Sequence, residues 1–252
     1  MPVILSEPAR HVALVTIDNQ SKRNAMSRAM MQELAELWDR LGASEACRCI
    51  IITGAGEKAF CAGADIGGDL SAAEETARLV NRALMKTMPF SKPVIAAVNG
   101  DCAGGGVELL LSTDIRIAAG HARFGLPEVK WSIYPFGGAT VKLVQQIGYV
   151  HAMDLILTGR LVDARFAKGI NLINRVCPGE NVLTSAIETA TTIAVNSPSA
   201  VQAVKRQISD GIAEHTLSRE AMEQQLGDEV RASKHFVEGV AAFREKRQPN
   251  YD

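Results

Sequence analysis

Features that would place a protein in a special class are scarce in this chain of 252 residues. Aromatic residues make up only 5%, and no apolar run reaches the roughly 18 residues of a membrane-spanning helix. The formal net charge is −1, with 27 Lys and Arg against 28 Asp and Glu. Such a balance gives no overall attraction to nucleic acid or to an anionic membrane. The sequence therefore predicts neither a nucleic-acid-binding protein nor a membrane protein.

Cysteines are few, odd in number and scattered. Cys47 and Cys49 have the wrong spacing for a zinc knuckle and lack an accompanying His pair, so no metal site is predicted. Their apolar neighbours favour reduced thiols that fill the core. The first five residues also lack the basic region of a signal peptide. From these two features we expect a cytoplasmic location.

The residues that are present favour a sizeable core, since 47% are hydrophobic. Segments typical of strands and helices alternate along the first three quarters of the chain, whereas the last quarter shows helical patterns only. Alternation of this kind predicts an α/β fold. We place the core at residues 1–195 and a helical region at residues 196–252, with the break at Asn196, Ser197 and Pro198.

Two helices have clear local signals. The first is expected to begin after Ser27 as N-cap and to stop at Gly42, because apolar residues follow a period of 3.6 between them. The second is expected to begin at a capping box formed by Ser71 and Glu74 and to run to about Met88. Its inner face would then contain Leu79, Val80, Ala83, Leu84 and Met88.

The central feature is a glycine-rich turn between two apolar runs. A buried strand is predicted at Val94–Val98, and the three glycines 104–106 follow just before a predicted helix. Glycines without Cβ atoms let a ligand approach the backbone, and the first helical turn presents unpaired N–H donors. Glu108 lies within about one turn of them, which suggests oxyanion stabilisation beside a proton-transfer group. A tight connection without chemistry is the alternative.

Four motifs occur in a fixed order along the chain: FCAGADI at 60–66, NGDCAGGGVE at 99–108, FGLPE at 124–128 and PFGG at 135–138. Together they make the chain resemble the crotonase family, the enoyl-CoA hydratase/isomerase superfamily. The resemblance implies an α/β spiral of ββα units followed by a C-terminal helical region. It also implies that residues 196–252 mediate assembly into a homotrimer or a dimer of trimers.

The same resemblance implies an acyl-CoA site. The N–H groups of Ala64 and Gly105 would form an oxyanion hole for the thioester oxygen, with coenzyme A entering as part of the substrate rather than as a cofactor. The loop around the first donor and the turn before the second would contact substrate through Ala62, Asp65, Ile66 and Gly104. Lys22 and Arg23 match basic positions near the CoA phosphates, and Lys58 is a weaker candidate; a solvated basic loop is the alternative.

Glutamates stand at both positions where family hydratases carry them, Glu108 and Glu128. The resemblance therefore implies hydration of a 2-enoyl-CoA, or the reverse dehydration, with a water held between two carboxyl groups. Local context leaves other roles open, since Glu108 suits a helix N-terminus and Glu128 suits a solvated loop. Other reactions of the superfamily (double-bond isomerisation, decarboxylation, thioester hydrolysis) and non-catalytic binding of acyl-CoA or RNA are the alternatives.

One departure from the family pattern concerns the acyl pocket. The usual Pro-Gly-x-Gly-Gly is replaced by Pro135, Phe136, Gly137 and Gly138. A Phe beside the reacting carbons would reshape the pocket and favour a branched, cyclic or functionalised acyl group over a straight chain. Alternatively, Phe136 turns into the core and leaves the pocket unchanged.

Overall fold

Two sheets organise the part of the chain that the computed structural model describes, residues 2–65, 73–88 and 90–252. The strands in chain order are β1 (Val3–Ala9), β2 (Val12–Ile17), β3 (Cys49–Gly54), β4 (Ala59–Cys61), β5 (Val94–Val98), β6 (Asp101–Ala103), β7 (Ile115–Ala119), β8 (Arg123–Gly125), β9 (Val162–Asp163) and β10 (Arg175–Cys177). The first sheet has the order β1-β2-β3-β5-β7-β10, and the second has the order β4-β6-β8-β9.

The helices in chain order are α1 (Arg28–Ala43), α2 (Ala73–Ala83), α3 (Gly105–Leu110), α4 (Ala139–Ile147), α5 (Tyr149–Thr158), α6 (Ala164–Gly169), α7 (Val182–Ala194), α8 (Pro198–Arg231) and α9 (Lys234–Glu245). Short 3-10 turns lie at Gln20–Lys22, Pro127–Trp131 and Gly179–Asn181. The predicted cap of α1 is confirmed, since Ser27 Oγ accepts a hydrogen bond of 3.3 Å from the Met30 amide.

The strands repeat as units that wind into a spiral. In each unit a strand of the first sheet is followed by a strand of the second sheet and then by a helix, as in β3-β4-α2 and β5-β6-α3. Strands β2, β3, β5, β7 and β10 pair in parallel, whereas β1 pairs antiparallel to β2. The central strands β3 and β5 are buried along their whole length, as expected for parallel strands covered on both faces. The predicted α/β spiral is confirmed.

The prediction for the second helix is partly wrong. Ser71 lies outside the described residues, and α2 ends at Ala83 rather than near Met88. Met85 takes a φ of 50°, which turns the chain out of the helix, and Met88 is 53% exposed. The 3.6 period therefore holds as far as Leu84, which is buried, but not beyond it.

The C-terminal helices pack against elements that approach the glycine-rich turn. Helix α8 packs on α4, and α9 packs on the 3-10 turn Pro127–Trp131. Gly239 in α9 lies so close to the Trp131 carbonyl that a Cβ would collide with it. The rings of Trp131 and Phe243 meet edge to face at 5.2 Å. The division at residue 195 stays a prediction. Within the described ranges no helix is long and apolar enough to cross a bilayer.

Candidate active site

The glycine-rich turn opens the short helix α3. Strand β6 lies between β5 and this turn. The sequence analysis missed β6 because it spans only three residues. Gly104 precedes α3 with a φ of 56°, a left-handed value that glycine adopts without a Cβ penalty. Its amide donates to the Gly125 carbonyl at 3.0 Å, which ties the turn to β8. The turn is thus fixed by backbone geometry before any side chain is considered.

Two backbone amides converge beside this turn. A Cβ built on Gly105 would lie 3.5 Å from the Ala64 nitrogen, and one built on Gly63 would lie 3.1 Å from the Gly105 nitrogen. In the described part of the chain neither the Ala64 amide nor the Gly105 amide donates a hydrogen bond. Gly105 is the first residue of α3, so its amide also has no intrahelical partner. Two adjacent unpaired donors can stabilise an oxyanion.

Glu108 points from α3 into a buried space and is 6% exposed. Its Oε1 accepts a hydrogen bond of 3.3 Å from the Ala139 amide at the start of α4. A Cβ on Gly137 would collide with Glu108 Oε2, so the absent side chain makes room for the carboxyl. Burial raises the pKa of Glu108 to about 7, and the charge of Glu223 adds to that rise. The raised pKa favours the protonated form of Glu108 near neutral pH more than for an ordinary glutamate.

Glu128 approaches the same space from the 3-10 turn Pro127–Trp131. A Cβ on Gly104 would lie 3.0 Å from Glu128 Oε1, which places this carboxyl beside the glycine-rich turn. Its Oε2 is buried and has no hydrogen-bond partner among the described residues. Burial, and then the charge of Glu108, raise the pKa of Glu128 to about 8. The two carboxyl groups consequently titrate as a pair, and one proton can be shared between them near neutral pH.

One cavity of about 1030 Å³ collects the predicted site residues. It is lined by Ala64 and Gly105, by both glutamates, and by the predicted substrate contacts Lys22, Ala62, Asp65, Gly104, Pro135 and Phe136. Ile66 lies outside the described residues. Lys22 forms an ion pair of 2.6 Å with Asp65, and Arg23 forms one of 3.4 Å with Asp101. Lys58 is exposed and does not line this cavity.

Phe136 has both of the contacts that the sequence analysis left as alternatives. It is partly buried against the core, and it also lines the cavity together with Pro135. Tyr134 lines the cavity as well, with a pKa that burial raises. Phe136 is thus in a position to limit the space open to an acyl group.

Several lining residues come from the C-terminal helices and were not predicted. They are Gln224, Gly227, Val230, Arg231, Phe236, Phe243 and Arg244. Their approach depends on how α8 and α9 fold back onto α4 and the 3-10 turn, which no local motif encodes. Helices α8 and α9 therefore form part of the cavity wall, in addition to packing on α4 and on the 3-10 turn.

The buried thiols near the site do not supply a nucleophile. Burial raises the pKa of Cys61 to about 12 and raises that of Cys102 well above its ordinary value, so both stay protonated at neutral pH. Among the described residues no group of His, Cys, Asp or Glu side chains is arranged to hold a metal ion. The ionisable side chains that line the cavity include carboxyls, basic groups and the Tyr134 phenol, whereas Cys61 and Cys102 are not part of its lining.

Comparison with known proteins identifies the family. A model described as enoyl-CoA hydratase/isomerase matches residues 7–252. The chain belongs to the enoyl-CoA hydratase/isomerase family.

Relatives from this family cover nearly the whole chain. Enoyl-CoA hydratase EchA19 of Mycobacterium tuberculosis is 41% identical, over 99% of this chain and 96% of the relative. Mevalonyl-coenzyme A hydratase sidH of Aspergillus fumigatus is 37% identical, over 98% of this chain and 94% of the relative. The crystal structure of carnitinyl-CoA hydratase from Mycobacterium avium matches with a TM-score of 0.91 at 36% identity and covers 100% of this chain and 98% of that one. Members of the enoyl-CoA hydratase/isomerase family with this fold thus carry names that differ in the acyl group.

Proposed function

We propose that this protein adds water to a 2-enoyl-CoA thioester, or removes it from a 3-hydroxyacyl-CoA. The observation that carries the proposal is the meeting in one cavity of the buried Glu108, the partly buried Glu128 with its buried Oε2, and two amides that lack hydrogen-bond partners among the described residues. Membership of the enoyl-CoA hydratase/isomerase family supports the same reaction. Coenzyme A takes part as the carrier of the acyl group.

Charge builds on the thioester oxygen when water attacks C3 of the conjugated double bond. The amides of Ala64 and Gly105 would hold that oxygen. As the new C–O bond forms, the ionised carboxyl of the pair takes a proton from water, and the protonated carboxyl gives its proton to C2. The raised pKa values of Glu108 and Glu128 support this division because they allow a single proton on the pair near neutral pH.

The CoA phosphates are proposed to meet the basic side chains on the cavity wall. Lys22 and Arg23 lie on the side of the Ala62–Asp65 loop, and Arg231 and Arg244 approach from the C-terminal helices. Lys22 is 57% exposed although it forms an ion pair with Asp65, so a phosphate can approach its ammonium group from solvent. The four proposed phosphate contacts therefore come from two parts of the chain, the segment after β2 and the C-terminal helices.

The acyl group is proposed to be branched, cyclic or functionalised because Phe136 occupies part of the wall of the cavity that Glu108 also lines. The varied names of the relatives support an acyl pocket that differs among members. Exchange of Phe136 for Leu should therefore change the preferred chain in the assay below, with straight chains gaining most.

A homotrimer or a dimer of trimers is also proposed, in a cytoplasmic setting. Apolar side chains on the C-terminal helices support assembly, since Val204, Ile208 and Val237 are more than 60% exposed, at 63%, 64% and 71%. Light scattering should give a multiple of the 27.0 kDa chain mass. A monomer at micromolar concentration would contradict assembly but not the chemistry.

The experiment that tests the function is an absorbance assay on a panel of 2-enoyl-CoA thioesters with short, long, branched and aromatic chains. We expect loss of the enoyl absorbance with at least one member, and a rate lowered by about 10²–10⁴ with Glu108→Gln. Isomerisation and thioester hydrolysis also remove the conjugated absorbance, so the product must be identified as a 3-hydroxyacyl-CoA. Binding without absorbance loss across the panel would instead assign the cavity to decarboxylation or to binding alone.

A further inference from the structure

A buried cluster of charged side chains lies behind Glu108 and has no part in the reaction just described. Glu223 of α8 is 3% exposed and Lys86, which follows α2, is 4% exposed. Lys86 Nζ lies 3.0 Å from Glu223 Oε2. Burying two charges this completely costs free energy unless they are paired. Their pairing therefore holds α8 against the segment after α2.

The first turn of α4 lies between this ion pair and Glu108. On one side, the Ala139 amide donates to Glu108, and Gly137 leaves the space that the carboxyl fills. On the other side, the Thr140 hydroxyl donates to Glu223 Oε1, and a Cβ on Gly138 would lie 3.2 Å from Lys86 Cγ. Alternate residues of one turn thus contact the site and the ion pair.

We propose that Glu223, paired with Lys86 and bonded to Thr140, is a positioning residue that fixes the turn holding Glu108 and sets the charge balance around its carboxyl. The proposal rests on the proposed function, in which Glu108 transfers a proton. It gives the C-terminal helix α8 an influence on the chemistry, although Glu223 itself does not line the cavity.

The charges around Glu108 oppose one another. Glu223 and Glu128 favour a proton on Glu108, whereas Lys86 and Lys142 disfavour it. Lys142 donates to Ser112 Oγ at 2.8 Å, and burial beside Lys86 lowers its pKa to about 7. The ionisable groups that face Glu108 from the packed elements are Glu128, Tyr134, Glu223, Lys86 and Lys142. Deleting Glu223 alone would leave Lys86 with the more distant Glu220, at 3.9 Å, as its remaining carboxylate partner among the described residues.

The test is the pH profile of kcat/KM for charge-deleting variants. Glu223→Gln keeps the shape and an oxygen that accepts from Thr140, but it removes the negative charge. We expect the acidic limb of the profile to shift to lower pH by about one unit, because the pKa of Glu108 falls when the neighbouring negative charge is removed. Lys86→Met should shift the same limb to higher pH, and the double variant should return the limb towards its position in the parent protein. Opposite shifts that cancel are not produced by loosened packing.

Controls separate charge, position and folding. Glu229→Gln makes the same substitution on an exposed side chain of α8, about 9 Å further along the helix, and should leave the profile unchanged. Thr140→Val removes the hydrogen bond without changing charge and should lower kcat by about tenfold with the limb in place. Circular dichroism and thermal unfolding would identify any variant that fails to fold.

A readout without substrate keeps this proposal separate from the proposed function. Infrared difference spectra between the parent and Glu108→Gln report the protonated carboxyl of Glu108 as the pH is changed. The same opposite shifts are expected there for Glu223→Gln and Lys86→Met. If both variants fold and the Glu108 titration stays in place, or moves in one direction for both, the positioning role is wrong whatever reaction the protein catalyses.

Discussion

Glu108 and Glu128 face the same cavity, but the segments that carry them are built differently. Glu108 lies in α3, where the neighbouring Val107, Leu109 and Leu110 are buried, and it receives a hydrogen bond from the Ala139 amide. Glu128 lies in a 3-10 turn next to the exposed Val129, and its buried Oε2 has no hydrogen-bond partner among the described residues.

The difference shows how each carboxyl is held. Core packing fixes α3, whereas the turn Pro127–Trp131 is held from outside by the C-terminal region. Tyr251 donates to the Lys130 carbonyl at 2.9 Å, and Phe243 packs on Trp131. One acid is thus positioned by the core, and the other by a turn that packs on α5 and on residues more than a hundred positions later in the chain.

The largest expected effect comes from removing either acid. Glu108→Gln and Glu128→Gln should each lower kcat/KM by about 10²–10⁴, because each deletes one of the two proton-transfer groups. Steady-state rates on the best thioester of the panel measure the loss, and binding of the CoA thioester should persist. If one variant kept the parent rate, the two-acid account would have to be abandoned.

A change behind Glu108 should have a smaller but still large effect. Gly137→Ala places a Cβ where Glu108 Oε2 now lies, so the carboxyl must move. We expect kcat to fall by about 10²-fold while the fold is kept. Gly169→Ala is the matched control, since among the described residues no atom outside its own helix and chain neighbours lies within 4 Å of the added Cβ. Its rate should equal that of the parent. Equal rates in both variants would show that Glu108 need not occupy its present position.

The third prediction concerns stability and pH. The pKa of Glu128 is about 8 in the folded protein against an ordinary 4.5, so the folded state holds the proton more tightly than the unfolded state. The free energy of unfolding therefore falls as pH rises from about 4.5 to about 8. Glu128→Gln removes this loss and should gain about 1–3 kcal/mol at pH 8.5 but little at pH 5.

Thermal unfolding of parent and variant at the two pH values measures that difference. Glu108→Gln should follow the same pattern over a narrower range, because the pKa of Glu108 is raised only to about 7. An equal gain in unfolding free energy at pH 5 and pH 8.5 would mean that the folded protein does not raise the pKa of the carboxyl.

The smallest effect is expected at the C-terminal anchor of the second acid. Tyr251→Phe removes the hydrogen bond to the Lys130 carbonyl and should cost about 0.5–1 kcal/mol of unfolding free energy. Because the turn keeps its contacts with α9, kcat/KM should change by about threefold or less. Tyr149→Phe, at a side chain that is 65% exposed, serves as the control. If Tyr251→Phe lowered kcat/KM as much as Glu128→Gln does, the hydrogen bond from Tyr251 alone would position Glu128.

Sequence reasoning succeeded where the determinants are local. The cap at Ser27, the strand Val94–Val98 and the helix that carries Glu108 all follow from neighbouring residues, and the order of four motifs identified the family. The segment around Glu128 was expected to be a loop, yet it contains β8 and a 3-10 turn, because elements of three to five residues leave no periodic signal.

The parts that sequence reasoning missed depend on distant contacts. Glu223 and Lys86 meet only because α8 folds back onto α4 and the segment after α2, and no motif marks either residue. The same holds for Arg231 and Phe243 on the cavity wall. A buried carboxylate on a mostly exposed helix can be predicted only when the packing of that helix is known.

The most direct test of the two-acid account is the reaction of a 2-enoyl-CoA in deuterium oxide, followed by nuclear magnetic resonance of the product. The account predicts a 3-hydroxyacyl-CoA with one deuterium at C2 from the parent protein, and no product at a comparable rate from Glu108→Gln or Glu128→Gln. A product in which the double bond has moved without gain of oxygen, or a normal product from either variant, would contradict it.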